Sequence, residues 1–344
     1  MLIDKLIKHV EVLKLNLKDK VILTEAASGA YVVTPILAGI AGAKVYAYTK
    51  NSPYGTVKEV VENTTKIIES YHTSQLNINF IETLTPDIIA EADIITNSGH
   101  LRPLNKEKLK YAKDSLVIPL MYEAWEWREA DMDINYIKER RFKIGATNER
   151  HPDIDVFNYL GDMAVKLIFA SGSCCYKNKF VLICNNDFGP YIAKVISKIC
   201  SGLGIIDKKE NRDLYNMENV TWLSNFPEIN ISSEFKSAEA IIFTAYPFDN
   251  PLLGVNMPVS ATEIKNQFDN PFILRYAGDV DISSLDELGI KYYPDHVKSG
   301  HMGIIPSEIG YDPIIRLQAG GLKVAEALAT GNYYHNKIRV LDLV

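Results

Sequence analysis

Four short stretches gather side chains that can do chemistry. The first is Thr96-Asn97-Ser98-Gly99-His100-Leu101-Arg102. A hydroxyl, a glycine that leaves backbone open to a ligand, an imidazole and a guanidinium stand close together there. Such a set can hold a carboxylate and pass a proton. Ser98, Gly99, His100 and Arg102 are therefore candidate substrate-binding residues, and a solvated loop is the equal alternative. The second stretch, Met121 to Glu129, places Trp125, Trp127, Glu123, Glu126 and Glu129 around Arg128. Read functionally, it is a cleft wall in which Glu123 or Glu126 is an acid/base and the aromatics exclude water. Read structurally, it is an aromatic lid with Arg128 in ion pairs. Asn148-Glu149-Arg150-His151-Pro152 is a further charged turn of the same kind.

The third stretch, Cys184-Asn185-Asn186-Asp187-Phe188-Gly189-Pro190, stands where a dinucleotide fingerprint would stand, between a strand and a helix. Only Gly189 is a glycine. Asn185 and Asn186 tolerate left-handed backbone and substitute for the early glycines. A pyrophosphate is expected against the amides that begin the helix, so Asn186, Phe188, Gly189 and Pro190 are candidate cofactor-binding residues. Asp207, about 20 residues on, is at the distance of a ribose-binding acid, and a surface turn is its other reading. The turn Thr24 to Tyr31 also enters a helix through small residues, although Glu25 would repel a phosphate. The fourth stretch holds Arg275, Gly278-Asp279-Val280-Asp281 and Ser299-Gly300-His301-Met302-Gly303. His301, flanked by glycines, is a candidate proton carrier, with Asp295 or Glu308 to orient it. His9, His72 and His335 read as surface residues.

Two series of alternating strands and helices must position these stretches. Strands are expected at Val21 to Ala26, Lys44 to Lys50, Ile78 to Ile81, Ile94 to Asn97, Leu116 to Met121 and Ile144 to Thr147. A second series begins at Phe180 to Cys184. It continues through Ile205-Ile206 or Val220 to Leu223, then Ala240 to Ala245 and Phe272 to Tyr276. Helical patterns cover Met1 to Asp19, Tyr31 to Ala41, Asn105 to Ala112, Asp133 to Arg141, Val156 to Ala170, Pro190 to Ser201 and Asp312 to Thr330. Short apolar runs alternating with helices predict parallel sheets with crossover helices. The expected fold is α/β, with two Rossmann-like or flavodoxin-like parallel-sheet domains and a cleft between them. A substrate or catalytic domain would comprise residues 1–170 and 311–344, the last helix returning to it. Residues 171–310 would form a nucleotide-binding domain.

The 344 residues are 47% hydrophobic and 23% charged, with a formal net charge of -6. That composition is globular, long enough for two cores, and argues against nucleic acid as a partner. The N-terminus lacks a secretory pattern and the most apolar run, Ala30 to Ala43, is too short to span a membrane. Cys174, Cys175, Cys184 and Cys200 show no metal-ligand spacing and read as reduced thiols. A cytoplasmic, membrane-free protein without a bound metal is expected.

Taken in order, these motifs resemble the D-2-hydroxyacid dehydrogenase family, the formate and glycerate dehydrogenase-like enzymes of two domains. Ala92 to Ser98 is similar to that family's strand and substrate loop, and Ala240 to Pro247 through Gly254 to its strand and loop on the nicotinamide side. Ile273 to Asp281 resembles the stretch carrying the catalytic arginine, and Gly300-His301-Met302-Gly303 the histidine region. The chain departs from the family in its single glycine, in Ala277 where the arginine would stand, and in lacking the acid before the histidine. The resemblance implies an NAD(P)-dependent oxidoreductase acting on a small carboxylate-bearing metabolite, as a homodimer. It implies His301 as proton carrier, Arg275 (or Arg102) polarising the carbonyl, and Ala245 beside the nicotinamide. Two other functions fit the residues. One is a non-redox nucleotide- or metabolite-binding protein on the same fold; the other is a lyase, hydrolase or epimerase using Glu123 to Arg128.

Overall fold

The computed structural model describes residues 1–70 and 76–343, so His72 lies outside the described residues. The chain divides into two compact units, Met1–Val156 with Gly310–Val344, and Phe157–Ile309. In the first unit the strands are β1 Val21–Glu25, β2 Lys44–Tyr48, β3 Ile78–Ile81, β4 Ile94–Ile95, β5 Val117–Pro119 and β6 Lys143–Thr147. The second unit holds β7 Lys179–Cys184, β8 Gly202–Asp207, β9 Val220–Asn225, β10 Ala240–Thr244, the short pair β11 Leu253–Gly254 and β12 Val259–Ser260, then β13 Phe272–Ala277 and β14 Lys291–Tyr293. The tail returns to the first unit with the hairpin β15 Tyr334–His335 and β16 Ile338–Arg339, and with β17 Leu341–Leu343.

Both main sheets share one topology. The first runs β17-β6-β5-β4-β1-β2-β3 and the second β14-β13-β10-β7-β8-β9. Apart from β17, which pairs antiparallel to β6, every neighbour in them is parallel. In each unit the chain therefore builds three strands outward from the middle, then crosses back and builds three the other way. The order reverses between β1 and β4 in the first unit and between β7 and β10 in the second, and such reversals are where open α/β sheets bind ligands.

The central strands are buried along almost their whole length, because helices cover both faces. Two apolar clusters flank the first sheet and two flank the second. The expected α/β fold of two parallel-sheet domains is found, but the first segment of the first unit ends at Val156 rather than at residue 170. The helix Tyr311–Thr330 packs in the first unit against Leu2–Val12, Val33–Ile40, β5 and β6. Helix Tyr159–Ala170 belongs to the second unit and lies on Gly189–Ile196. Ile205-Ile206 and Val220 to Leu223 both prove to be strands. The N-terminal helix stops at Val12, before Lys14 at φ 46°, rather than reaching Asp19. The strands β14 and β17 are three residues each, too short to stand out from their loops.

Gly320 and Gly321 allow the C-terminal helix its close approach to the first sheet. A Cβ at Gly320 would stand 3.0 Å from Thr147 Cγ2, and one at Gly321 2.6 Å from Met121 Sδ. Thr147 and Met121 are the residues from which the chain turns off β6 and β5 toward Glu149 and Glu123. Met121 itself has φ 69°, a left-handed conformation that side chains seldom adopt. Gly321→Val should therefore overpack this seat and lower stability by about 1–3 kcal/mol. Chemical denaturation checks it, and an unchanged midpoint would show that the helix is not seated on Met121.

Candidate active site on the first unit

The carboxyl ends of β1, β4, β5 and β6 deliver the first unit's polar groups to one edge of its sheet. Thr24 and Thr96 hydroxyls meet at 2.8 Å and Thr96 meets Ser98 at 2.6 Å, which ties the ends of β1 and β4 together. Glu25, the last residue of β1, lies against Gly99, where a Cβ would come within 2.6 Å of its Oε1. Only glycine accepts that carboxylate so near the backbone. Glu25 accepts a hydrogen bond from the His100 amide, and its Oε1 is 3.7 Å from His100 Nε2. Burial raises the Glu25 pKa, opposed by His100 and by Arg102. Tyr48 stands edge-on to the imidazole.

Arg102 is oriented by its own loop. Its Nε donates to Asn97 Oδ1 at 3.1 Å and its Nη2 to the Asn97 carbonyl at 2.9 Å. Asp131 lies 3.5 Å from Nη1 and the Tyr122 ring lies beneath the guanidinium. Asn97 donates to the Tyr122 hydroxyl at 2.7 Å, and burial pushes that phenol up to about 12. The loop read from the sequence thus brings Ser98, Gly99, His100 and Arg102 together, and adds Glu25, Asn97 and Tyr122, which no motif marked as a set.

Three glutamates meet beside them, in different states. Glu123 is 6% exposed and paired. Both its oxygens take Arg150 Nη1 at 2.8 Å, and Trp125 Nε1 donates to it at 2.6 Å. Glu126 accepts the Glu123 amide at 3.3 Å and shares a side-chain hydrogen bond with Glu149. Two carboxyl groups can be bonded to each other only if one carries a proton. Burial raises the Glu126 pKa to about 7, with the Glu123 charge adding to it. Burial, followed by the charges of Glu126 and Glu123, raises Glu149 well above the ordinary carboxyl range. Tyr31, raised to about 12 by burial and then by Glu126 and Glu149, also feels Arg102 and Glu25, so it stands between the two groups of residues. Among the described residues no cluster of His, Cys, Asp and Glu is arranged to hold a metal ion.

The remaining candidates lie in the second unit. At its reversal point Asn185 and the Tyr246 backbone exchange hydrogen bonds of 2.9 and 2.7 Å, and Ala245 is fully buried. Asn186 Oδ1 accepts the Phe188 amide at 3.0 Å and its Nδ2 donates to Thr244 Oγ1 at 3.1 Å. Neither Asn185 nor Asn186 adopts positive φ, so they do not reproduce a glycine's backbone. Gly189 and Pro190 open the helix Gly189–Ile196. Asp207 ends β8, bonded to Tyr215, Asn211 and the Lys208 amide. Arg275 lies within β13, its Nη1 on the Pro294 and Asp295 carbonyls, while its buried Nε has no partner among the described residues. Asp279 accepts Ser299 Oγ at 2.5 Å and the Gly300 amide at 3.3 Å, which shapes the loop that carries His301. Glu308 accepts the Ile305 amide.

No protein-family model and no curated protein matches the chain. Solved structures do. A dipicolinate synthase subunit from Bacillus halodurans aligns at 12% identity and TM-score 0.55, over 92% of this chain and 98% of that one. A dipicolinate synthase chain from Bacillus subtilis aligns at 12% identity and TM-score 0.54, over 92% and 97%. TP0037 from Treponema pallidum, a D-lactate dehydrogenase, aligns at 10% identity and TM-score 0.51, over 90% and 97%. The family resemblance is thus borne out as a likeness of fold. No helix among the described residues is long and apolar enough to cross a membrane.

The carboxyl pair has a consequence for stability. With its pKa raised to about 7, folded Glu126 keeps a proton that the unfolded chain loses near 4.5. Its contribution therefore turns unfavourable as pH rises between those values and stays so above. Glu126→Gln, which keeps a donor without titrating, should gain on wild type by about 1–3 kcal/mol between pH 4.5 and pH 8. A difference that does not change with pH, in denaturation series at both, would show that the pair holds no extra proton.

Proposed function

We propose that the chain is an NAD(P)-dependent oxidoreductase of the 2-hydroxyacid dehydrogenase type, acting on a small carboxylate-bearing metabolite. The observation that carries this reading is the shared topology. Two parallel sheets reverse their strand order at the centre, and in the second a strand, a turn, Gly189 and a helix are followed by an acid at the end of β8. The Treponema neighbour, a D-lactate dehydrogenase, supports the substrate class. The second unit supplies the backbone framework for a dinucleotide, with Asn186, Phe188, Gly189, Pro190, Asp207 and Ala245 around it. When bound, the nicotinamide would exchange a hydride with the substrate.

The chain's own residues divide the remaining tasks. Arg102, fixed in orientation by Asn97 and Asp131, faces the substrate carboxylate. Glu25 and His100 stand beside it, with Glu25 Oε1 3.7 Å from His100 Nε2. Among the glutamates, Glu126 with Glu149 suits acid/base work better than Glu123, whose lone pairs are committed to Arg150 and Trp125. His301 is the proton carrier that the resemblance implies. Buried Arg275 is held by backbone carbonyls and serves the second unit's packing. The free cysteines, of which only Cys174 is exposed, support a reducing cytoplasmic setting. A homodimer is part of the proposal, and a monomeric mass in dilute solution would count against it.

A second reading has its own support. The Glu126–Glu149 pair is suited to proton transfer without a redox partner, as in a lyase or epimerase. Thermal melts with NAD(H) and NADP(H) divide the two. Ligand at a hundred times its dissociation constant should stabilise the protein by about 2.7 kcal/mol. Melting unchanged by either cofactor up to millimolar concentration would favour the non-redox enzyme. On the oxidoreductase reading, His301→Gln should melt normally and lose about 10²–10⁴-fold in turnover. Full turnover by the folded variant would remove His301 from the mechanism.

A further inference from the structure

The second unit carries a dinucleotide framework whose anchor points are already taken. In this strand–turn–helix arrangement the second glycine lets the backbone approach the pyrophosphate, and the acid after the next strand accepts the ribose hydroxyls. Cys184, Asn186 and Gly189 have the spacing of the three glycines. The Asn186 side chain occupies the approach. Its Oδ1 takes the Phe188 amide at 3.0 Å, and its Nδ2 bridges to Thr244 on β10 at 3.1 Å. Pro190 removes a further donor from the start of the helix.

Asp207 is closed in the same manner. It is 0% exposed. One oxygen takes the Tyr215 hydroxyl at 2.5 Å, the other the Lys208 amide at 2.6 Å, and Asn211 lies 3.3 Å from both. A carboxylate has about four acceptor sites, and a ribose would have to displace a partner to reach one. Tyr215 is deeply seated. Its ring is tilted against Trp222 at 5.9 Å, and a Cβ on Gly189 would overlap its hydroxyl. The phenol thus extends beneath the turn that should receive the cofactor. The same crowding means that Gly189→Val would damage the unit itself.

We infer that Tyr215 and Asn186 are built-in occupants of the ribose and pyrophosphate positions, and that they set how weakly this chain holds a dinucleotide. The inference rests on the dinucleotide reading of the second unit. A carboxylate and an amide that wait for a ligand are left open to water. Here each has been given an internal partner by a residue that no fingerprint requires.

Fluorescence titration of NADH into wild type, Asn186→Gly, Tyr215→Ala and the double variant tests it, with melting curves to confirm folding. Each single variant should bind roughly tenfold tighter than wild type, equivalent to about 1.4 kcal/mol, and the double variant tighter still. Tyr215→Phe, which keeps the ring in place, should gain less than Tyr215→Ala. If Tyr215→Ala fails to fold, Asn186→Gly in the turn carries the comparison alone. Wild type binding at micromolar concentration, with no gain in any variant, would overturn the inference and leave the oxidoreductase reading intact. Absence of binding by every folded variant at millimolar NADH would overturn both.

Discussion

A parallel sheet covered on both faces leaves polar side chains almost nowhere to go. Its strands must be apolar throughout, so groups with chemistry are pushed to the few residues beyond each carboxyl end. That constraint organises the first unit. Four successive strand ends release Glu25, the loop Ser98 to Arg102, Glu123 with Glu126, and Glu149 onto one edge. Glycines set how closely these groups approach. Gly99 lets the Glu25 carboxylate rest on backbone, and the Gly320-Gly321 pair seats the last helix against the turns that carry the glutamates.

Crowding carboxylates on a dry edge has an electrostatic cost, and each is met differently. Glu123 is paired with Arg150 at 2.8 Å. Glu25 is opposed by His100 and Arg102. At Glu126 and Glu149 burial outweighs the nearby charges of Arg128 and Arg150 and raises both carboxyl groups above their ordinary range. One edge therefore offers a fixed cation in Arg102, a proton held between carboxyl groups and an imidazole beside a third carboxylate. On the proposed reading these groups would bind an anionic substrate and move a proton on it.

Much of the framework was legible because apolar runs in parallel strands announce themselves, and the loop Ser98 to Arg102 was legible because its residue types are chemically distinctive. The rest depended on neighbours distant in the chain. Glu123 and Glu126 look alike in sequence, and it is the fold that pairs Glu123 with Arg150, twenty-seven positions on, and buries Glu126 beside Glu149. Tyr31 lies in a helical turn, and its nearness to Glu126 and Glu149 follows from the order in which strands are laid down. Asp207 stood at the spacing of a ribose ligand, yet its partner Tyr215 lies in a short irregular helix, Lys209–Tyr215, that no pattern marks. The strands β14 and β17, three residues each, are too short for an apolar run to mark them.

The central claim is that the first unit's edge keeps a proton on a carboxyl pair at neutral pH. Carbon-13 NMR of protein labelled at the glutamate side-chain carboxyl, followed through pH 3–9, observes that proton most directly. The account requires the resonance assigned through Glu126→Gln to titrate near pH 7 and the one assigned through Glu149→Gln to titrate well above the ordinary carboxyl range, in coupled steps, while most other glutamates change near 4.5. If both sites titrate with the rest, the edge is a set of solvated charges and the proposed acid/base role of the pair is wrong.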